Sequence, residues 1–236
     1  QYVDTGFEDS KLSPKMGLVW HAQSYLTFRA STGRGFRAAS MSERFSDSIY
    51  SGIRIIPNEN LKSETAWSHE IGMNFIPYVN LYLDIAGFWN DYWDLIEPEP
   101  DETQTVQFIN VTRARITGVE TNLKFTPWSN GISFDIGYTW MDPQDLDLNT
   151  VLAYRSRHLV NYSMTYKFSL FEIGLDYLYV ARLEKVKVYP GDDRVAQKTL
   201  NGRLSCTLGR YIINANVNNA LNHNPVSYTH LTLPTK

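Results

Sequence analysis

The chain has 236 residues, 14% of them aromatic and 20% charged, with a formal net charge of -3. That balance excludes a basic nucleic-acid binder, and the aromatic content excludes a disordered chain. The single cysteine, Cys206, excludes an intramolecular disulfide and a cysteine zinc site, and no apolar run is long enough for a membrane-crossing helix.

Period-2 alternation predicts about ten strands, in chain order Pro14–His21, Ser24–Gly33, Thr65–Ile76, Asn80–Trp93 and Val106–Phe125, then Gly131–Met141, Arg157–Phe168, Phe171–Ala181, Thr199–Leu208 and Tyr211–Asn219. Ile132, Phe134, Ile136, Tyr138 and Trp140 alternate with Ser133, Asp135, Gly137 and Thr139. Val160, Tyr162, Met164, Tyr166 and Phe168 repeat the pattern, as do Phe171, Ile173, Leu175, Tyr177 and Tyr179. A helix would scatter such a set around its circumference, whereas a strand puts it on one face.

The connections alternate between short and long. Short ones hold His21-Ala-Gln-Ser24, Pro77-Tyr-Val-Asn80, Thr126-Pro-Trp-Ser-Asn-Gly131, Ser169-Leu170 and Gly209-Arg210. Long ones run Arg34–Glu64, Asp94–Thr105, Asp142–Ser156 and Arg182–Lys198. The expected fold is therefore an all-β, antiparallel, up-and-down meander with tight turns at one end and long loops at the other. Bilayer-crossing barrels have that asymmetry, and a soluble sandwich has no reason for it.

One face carries Glu70, Asp84, Glu120, Asp135, Glu172 and Asp176, which suits a wet lumen. The other carries Trp20, Trp67, Trp89, Trp93, Trp140, Tyr166 and Phe168 near strand ends, as interfacial girdles require. On pattern alone a soluble antiparallel protein with one wet face stays open, since periodicity does not say which face meets water.

Other motifs carry little chemistry. Gly33-Arg-Gly-Phe-Arg-Ala38 fits a relaxed G-x-G-x-x-A, but that fingerprint needs a buried parallel strand before it and the strand here alternates, so no nucleotide cofactor is expected. Asp145-Leu-Asp-Leu-Asn149 begins like a calcium loop but lacks the turn glycine and the closing glutamate, and reads as a solvated loop. The acidic run Asp94, Glu97, Glu99, Asp101 and Glu102 also reads as a solvated loop. The histidines show no ligand spacing, so no metal site is expected. No nucleophile elbow marks an enzyme, and an outer-membrane hydrolase stays open only through a Ser/His/Asp set that assembles in space.

Six motifs in order resemble the TonB-dependent outer-membrane receptors. Gly33-Arg-Gly-Phe-Arg-Ala-Ala-Ser-Met-Ser-Glu43 is similar to that family's G-x-G-F-R-A-P-S segment, with Ala39 in the proline place. Pro57-Asn-Glu-Asn-Leu-Lys-Ser-Glu64 resembles its N-x-x-L-x-P-E, and Glu70-Ile-Gly72 its E-x-G. Ala86 to Ile96 resembles A-x-F-x-x-x-Y-x-D-x-I, Asn110 to Glu120 the strand ending in G-V-E, and Asn218-Asn-Ala-Leu-Asn222 a degraded N-L-F-N.

The resemblance implies that residues 1–226 are part of a 22-stranded barrel, open in this chain, with the plug and last strand missing. Ser227–Lys236 reads as a non-native tail. It further implies a bacterial outer-membrane receptor that imports a scarce nutrient such as a ferric siderophore or cobalamin, coupled to the TonB complex through the plug, with outer-membrane lipid as its surroundings. The alternative is a passive porin or other non-coupled barrel. Arg34, Arg37 and Glu43 are then candidates to face the plug or an anionic ligand, with the segment leaving the sheet at Gly33 and Gly35. Bracing of the wall is the competing role for the two arginines.

Overall fold

The computed structural model describes residues 11–50, 52–103, 105–127, 131–187 and 194–223. Trp128, Ser129, Asn130, His230 and the proposed tail lie outside them. In chain order the elements are β1 (Lys15–Gln23), β2 (Leu26–Arg37), α1 (Met41–Phe45), β3 (Ser48–Tyr50), β4 (Ile53–Ile56), β5 (Glu64–Tyr78), β6 (Leu81–Pro100) and β7 (Thr105–Phe125). There follow β8 (Ile132–Asp145), β9 (Thr150–Val151), β10 (His158–Phe168), β11 (Phe171–Val180), β12 (Gln197–Leu208) and β13 (Tyr211–Val217). Ten long strands make one antiparallel meander, β1-β2-β5-β6-β7-β8-β10-β11-β12-β13, and the sheet does not close on itself. The expected ten-strand, open meander is what the chain forms.

Alternation fixes the register. Phe28, Met73, Ile85, Thr121, Tyr138, Val160 and Tyr179 are successive ladder partners on the apolar face. One residue along, Arg29, Gly72, Ala86, Glu120, Thr139 and Leu159 follow one another on the polar face. A slip by one position would exchange the two faces, so the pattern specifies the pairing. Tight turns occur at Ser169 (φ 52°) and Gly209 (φ 58°), whose left-handed backbone suits two-residue hairpins. On the polar face the Phe88 ring covers Gly118, where an added Cβ would meet Phe88 Cζ at 2.4 Å and the Trp140 carbonyl oxygen at 2.3 Å.

Three connections differ from expectation. The acidic run Asp94–Glu102 is mostly strand: β6 continues to Pro100, pairs with β7 as far as Pro100↔Val106, and turns within a few residues. The cause is burial, because Leu95, Ile96 and Glu97 are all under 8% exposed. The connection after β8 likewise begins late, at Leu146, and includes β9 paired back on β8. The loop after β2 holds α1 and a β3–β4 hairpin, and β4 runs parallel to β7 from Arg54↔Thr105 to Ile56↔Gln107.

These pieces form a crown at the long-loop end. Ile53, Val106, Ala153, Tyr154 and Val186 make one buried cluster with Leu183 against it. Leu95, Ala114 and Leu152 make a second, flanked by Tyr92, Val111 and Ile116. Side-chain amides tie the long loop to β7: Asn58 Nδ2 donates to the Phe108 carbonyl, Gln107 Nε2 to the Pro57 carbonyl, and Asn110 accepts from the Lys62 amide while donating to the Lys62 carbonyl.

Candidate functional site

The polar face is a ladder of charges. Arg29 forks onto Asp84 through Nη1 (2.6 Å) and Nη2 (2.9 Å) while its Nε donates to Glu70 at 2.8 Å. Gly72 makes this possible, since an added Cβ would lie 2.8 Å from Arg29 Cζ. Further along, Lys124 pairs with Asp135 (3.2 Å), Lys167 with Glu172 (3.3 Å) and Arg203 with Asp176 (3.5 Å), and Ser163 donates to Asp176. Ladder register and alternation put Glu70, Asp84, Glu120, Asp135, Glu172 and Asp176 on this one face. Among the described residues Glu120 is the one of these six without a basic partner.

A second cluster joins wall to crown. The Arg37 guanidinium bridges two carboxylates, Glu64 through Nε (2.8 Å) and Nη2 (3.0 Å), and Glu43 through Nη1 (3.0 Å). Glu43 is 3% exposed because it also closes a capping box: its Oε2 accepts from the Ser40 amide at 2.6 Å, and its own amide donates to Ser40 Oγ at 3.3 Å. Glu64 Oε2 accepts from the Ile96 amide at 3.1 Å, which fastens the start of β5 to the β6 extension. Next to it Glu97, 3% exposed, pairs with Arg155 Nη2 at 3.1 Å. Glu97 lies beyond Trp93, above the part of β6 that the apolar face covers. Burial pushes its carboxyl above the ordinary glutamate value, against the opposing pull of Arg155 and Lys187.

Arg37 and Glu43 are thus brought together, and Arg34 is not with them. β2 runs unbroken through Gly33 and Gly35 to Arg37. Strict alternation then sets Arg34, opposite Trp67, on the apolar face, while Arg29 and Arg37 share the polar one. The expected exit at Gly33 is corrected by four residues, to Arg37, and one change of face for Arg34. Arg29, Glu64, Glu97 and Arg155 are site residues that sequence reasoning missed. Parity with Asp84 and Glu70 would have found Arg29, whereas Glu97 and Arg155 are 58 residues apart and no local pattern joins them.

The remaining motifs behave as structure. Asp145 is buried rather than solvated, and its Oδ1 accepts from the Asp147 and Leu148 amides, both at 3.0 Å. In the β6–β7 turn, Asp101 Oδ1 accepts from Thr103 Oγ1 (2.7 Å) and from the Thr103 and Thr105 amides, and these bonds hold its carboxyl below the ordinary aspartate range. Among the described residues no cluster of histidine, cysteine or carboxylate has the geometry of a metal site.

The chain matches, over residues 1–233, the family model described as TonB dependent receptor-like, beta-barrel. It is 31% identical over 153 residues to the vitamin B12 transporter BtuB of Vibrio vulnificus, an overlap covering 64% of this chain and 23% of that protein. In backbone shape it resembles the ferric enterobactin receptor of Pseudomonas aeruginosa, with a TM-score of 0.67 at 19% identity over 89% of this chain and 34% of that one. The copper transporter OprC gives a TM-score of 0.72 at 16% identity over 89% of this chain and 33% of that one. The chain therefore spans about a quarter to a third of the proteins it is similar to.

Proposed function

The chain belongs to the TonB-dependent receptor β-barrel family of transport receptors, and from that premise we propose that it forms wall and outer loops of a receptor for active import across the bacterial outer membrane. The substrate class is a scarce nutrient bound as a large polar complex, such as a ferric siderophore or cobalamin. The apolar face meets lipid. From Trp67 to Tyr78 on β5 it spans twelve residues, whose eleven steps at roughly 3.3 Å each and about 40° of tilt cover about 28 Å of bilayer. The polar face then lines the lumen, against a plug that couples to TonB. Family membership across nearly the whole chain is the observation that carries this reading.

Within it, Arg37 with Glu43 and Glu64 braces the crown to the wall. A guanidinium already shared by two carboxylates has little left to offer an anionic ligand. Glu120 is the better contact for a basic group of the plug or substrate, because its charge is not already matched.

Uptake of labelled ferric siderophores and cobalamin by cells expressing the whole receptor, with and without TonB, tests the proposal. Uptake of one of these that disappears without TonB is expected. Equal uptake of small unrelated solutes in both strains would instead make the barrel a passive porin.

A further inference from the structure

The apolar face turns basic among its outermost tryptophans. Successive ladder partners on that face run Arg34, Trp67, Asp91 and Arg115 across β2, β5, β6 and β7, and one step further out Arg113 stands opposite Trp93. Arg115 Nε donates to Asp91 at 2.7 Å, and its guanidinium lies 4.5 Å over the Trp89 ring. The Trp89 indole donates to the same carboxylate at 2.9 Å. Trp67 stacks on His69 with ring centroids 6.1 Å apart.

Arg34 and Arg113 differ from the arginines of the polar face. Among the described residues neither side chain has a carboxylate partner, and Asp147 accepts from the Arg113 backbone amide, not from its guanidinium. The row therefore holds three guanidinium groups against Asp91. Its height on the wall follows from the tryptophans. Trp89 lies two residues nearer the short turns than Asp91, the partner of Trp67, and Trp140 is two residues nearer again than Asp142, the partner of Thr117. Such a staircase is what a level girdle becomes on tilted strands, so Arg34 lies at the girdle and Arg115 and Arg113 just outside it.

We propose that Arg34, Arg113 and Arg115, framed by Trp67, Trp89 and Trp93, form a binding belt for phosphate-bearing lipid headgroups in the leaflet at the long-loop end. The assignment rests on the membrane position of the barrel and not on what it imports. A guanidinium fork matches phosphate geometry, and unpaired cations at headgroup depth gain a partner there that neither lipid tails nor water supplies. A soluble anion would explain the arginines but not the tryptophans that place them at the interface.

The test is native mass spectrometry of the whole receptor in neutral detergent, titrated with a bisphosphorylated diglucosamine lipid or its dephosphorylated counterpart. Wild type should retain the phosphorylated lipid, and the triple variant R34Q/R113Q/R115Q should retain it at least about fivefold less, as expected for the loss of one to three interfacial charges. R34K/R113K/R115K should recover part of the difference. Equal retention of both lipids by wild type would mean acyl packing alone and overturn the proposal, whether or not the variants assemble. So would displacement of the lipid by millimolar inorganic phosphate, the mark of a free-anion site. Heat-dependent gel mobility establishes that each variant barrel has folded, and unchanged retention by a folded R34Q/R113Q/R115Q would also sink the idea.

Discussion

The wall and the crown of this molecule are stabilised by opposite arrangements. Wall strands expose their large apolar residues, with Ile71 at 69%, Leu18 at 66% and Trp20 at 62% exposure. Crown residues hide theirs, with Val106 at 1%, Leu61 at 2% and Leu152 at 3%. In the wall, order comes from continuous backbone pairing and, in the membrane placement proposed above, from lipid that solvates the outer face, as bilayer-crossing sheets require. The crown is cored like a small water-soluble domain, though built from four separate connections. One chain therefore follows two folding rules, and the boundary between them passes through β6 near Asp94, where φ is 53°.

Truncating the crown core should break that symmetry most. Leu152→Ala removes a 3% exposed side chain from the second cluster and should cost about 2–5 kcal/mol of local stability. Limited proteolysis of the folded receptor should then cut the crown early, while the heat-dependent gel shift of the barrel is unchanged. A barrel that loses its shift together with the crown would mean that the two regions are one cooperative unit.

Gly118→Ala addresses the wall alone. The new methyl group meets a carbonyl oxygen of the next strand as well as Phe88, so β7 and β8 must part. Overpacking of about 1–3 kcal/mol should appear as slower assembly into lipid, with crown proteolysis normal once the barrel has formed. Smaller still, Arg29→Gln leaves Asp84 and Glu70 facing one another. These groups are partly exposed, so screening limits the cost to about 1 kcal/mol or less, read as a lower unfolding midpoint in denaturant that high salt partly restores.

Glu97 gives the smallest and most specific effect. Its folded-state pKa is raised by burial, so its contribution to crown stability is full below the ordinary glutamate range and is lost as pH rises through the raised value. Hydrogen exchange at Leu95 to Glu97, corrected for the intrinsic pH dependence, should show more protection on the acid side of that window. Glu97→Gln should remove the pH dependence while leaving the wall unaffected. An unchanged pH profile in Glu97→Gln would assign the effect to another group.

What the sequence disclosed divides along the same boundary. Strand number, order and face were legible because a wall strand repeats one rule every second residue; Phe171–Val180 and Tyr211–Val217 end within two residues of expectation. The crown was hidden because its contacts are distant in sequence. Glu97 looked like one solvated acid among five, and only Arg155 and the buried Leu95 and Ile96 beside it make it a core residue. Some local signals were there to be read. Ser40 and Glu43 have capping-box spacing, and α1 starts between them. At Arg34 the two flanking glycines suggest a turn that β2 does not make, whereas counting by twos from Arg29 separates it from Arg37.

The parallel pairing of β4 with β7 also bears on the order of events during assembly. β4 precedes β7 by about fifty residues and has to wait for it, since the edge it joins does not exist until the β5–β6 hairpin has formed and β7 has been laid against it. Val186, later still, completes the same cluster. Loops that emerge early are thus held unfinished until the chain beyond them arrives. Resistance of the crown to protease becomes a clock for assembly, reaching its final value only after the β11–β12 connection has docked.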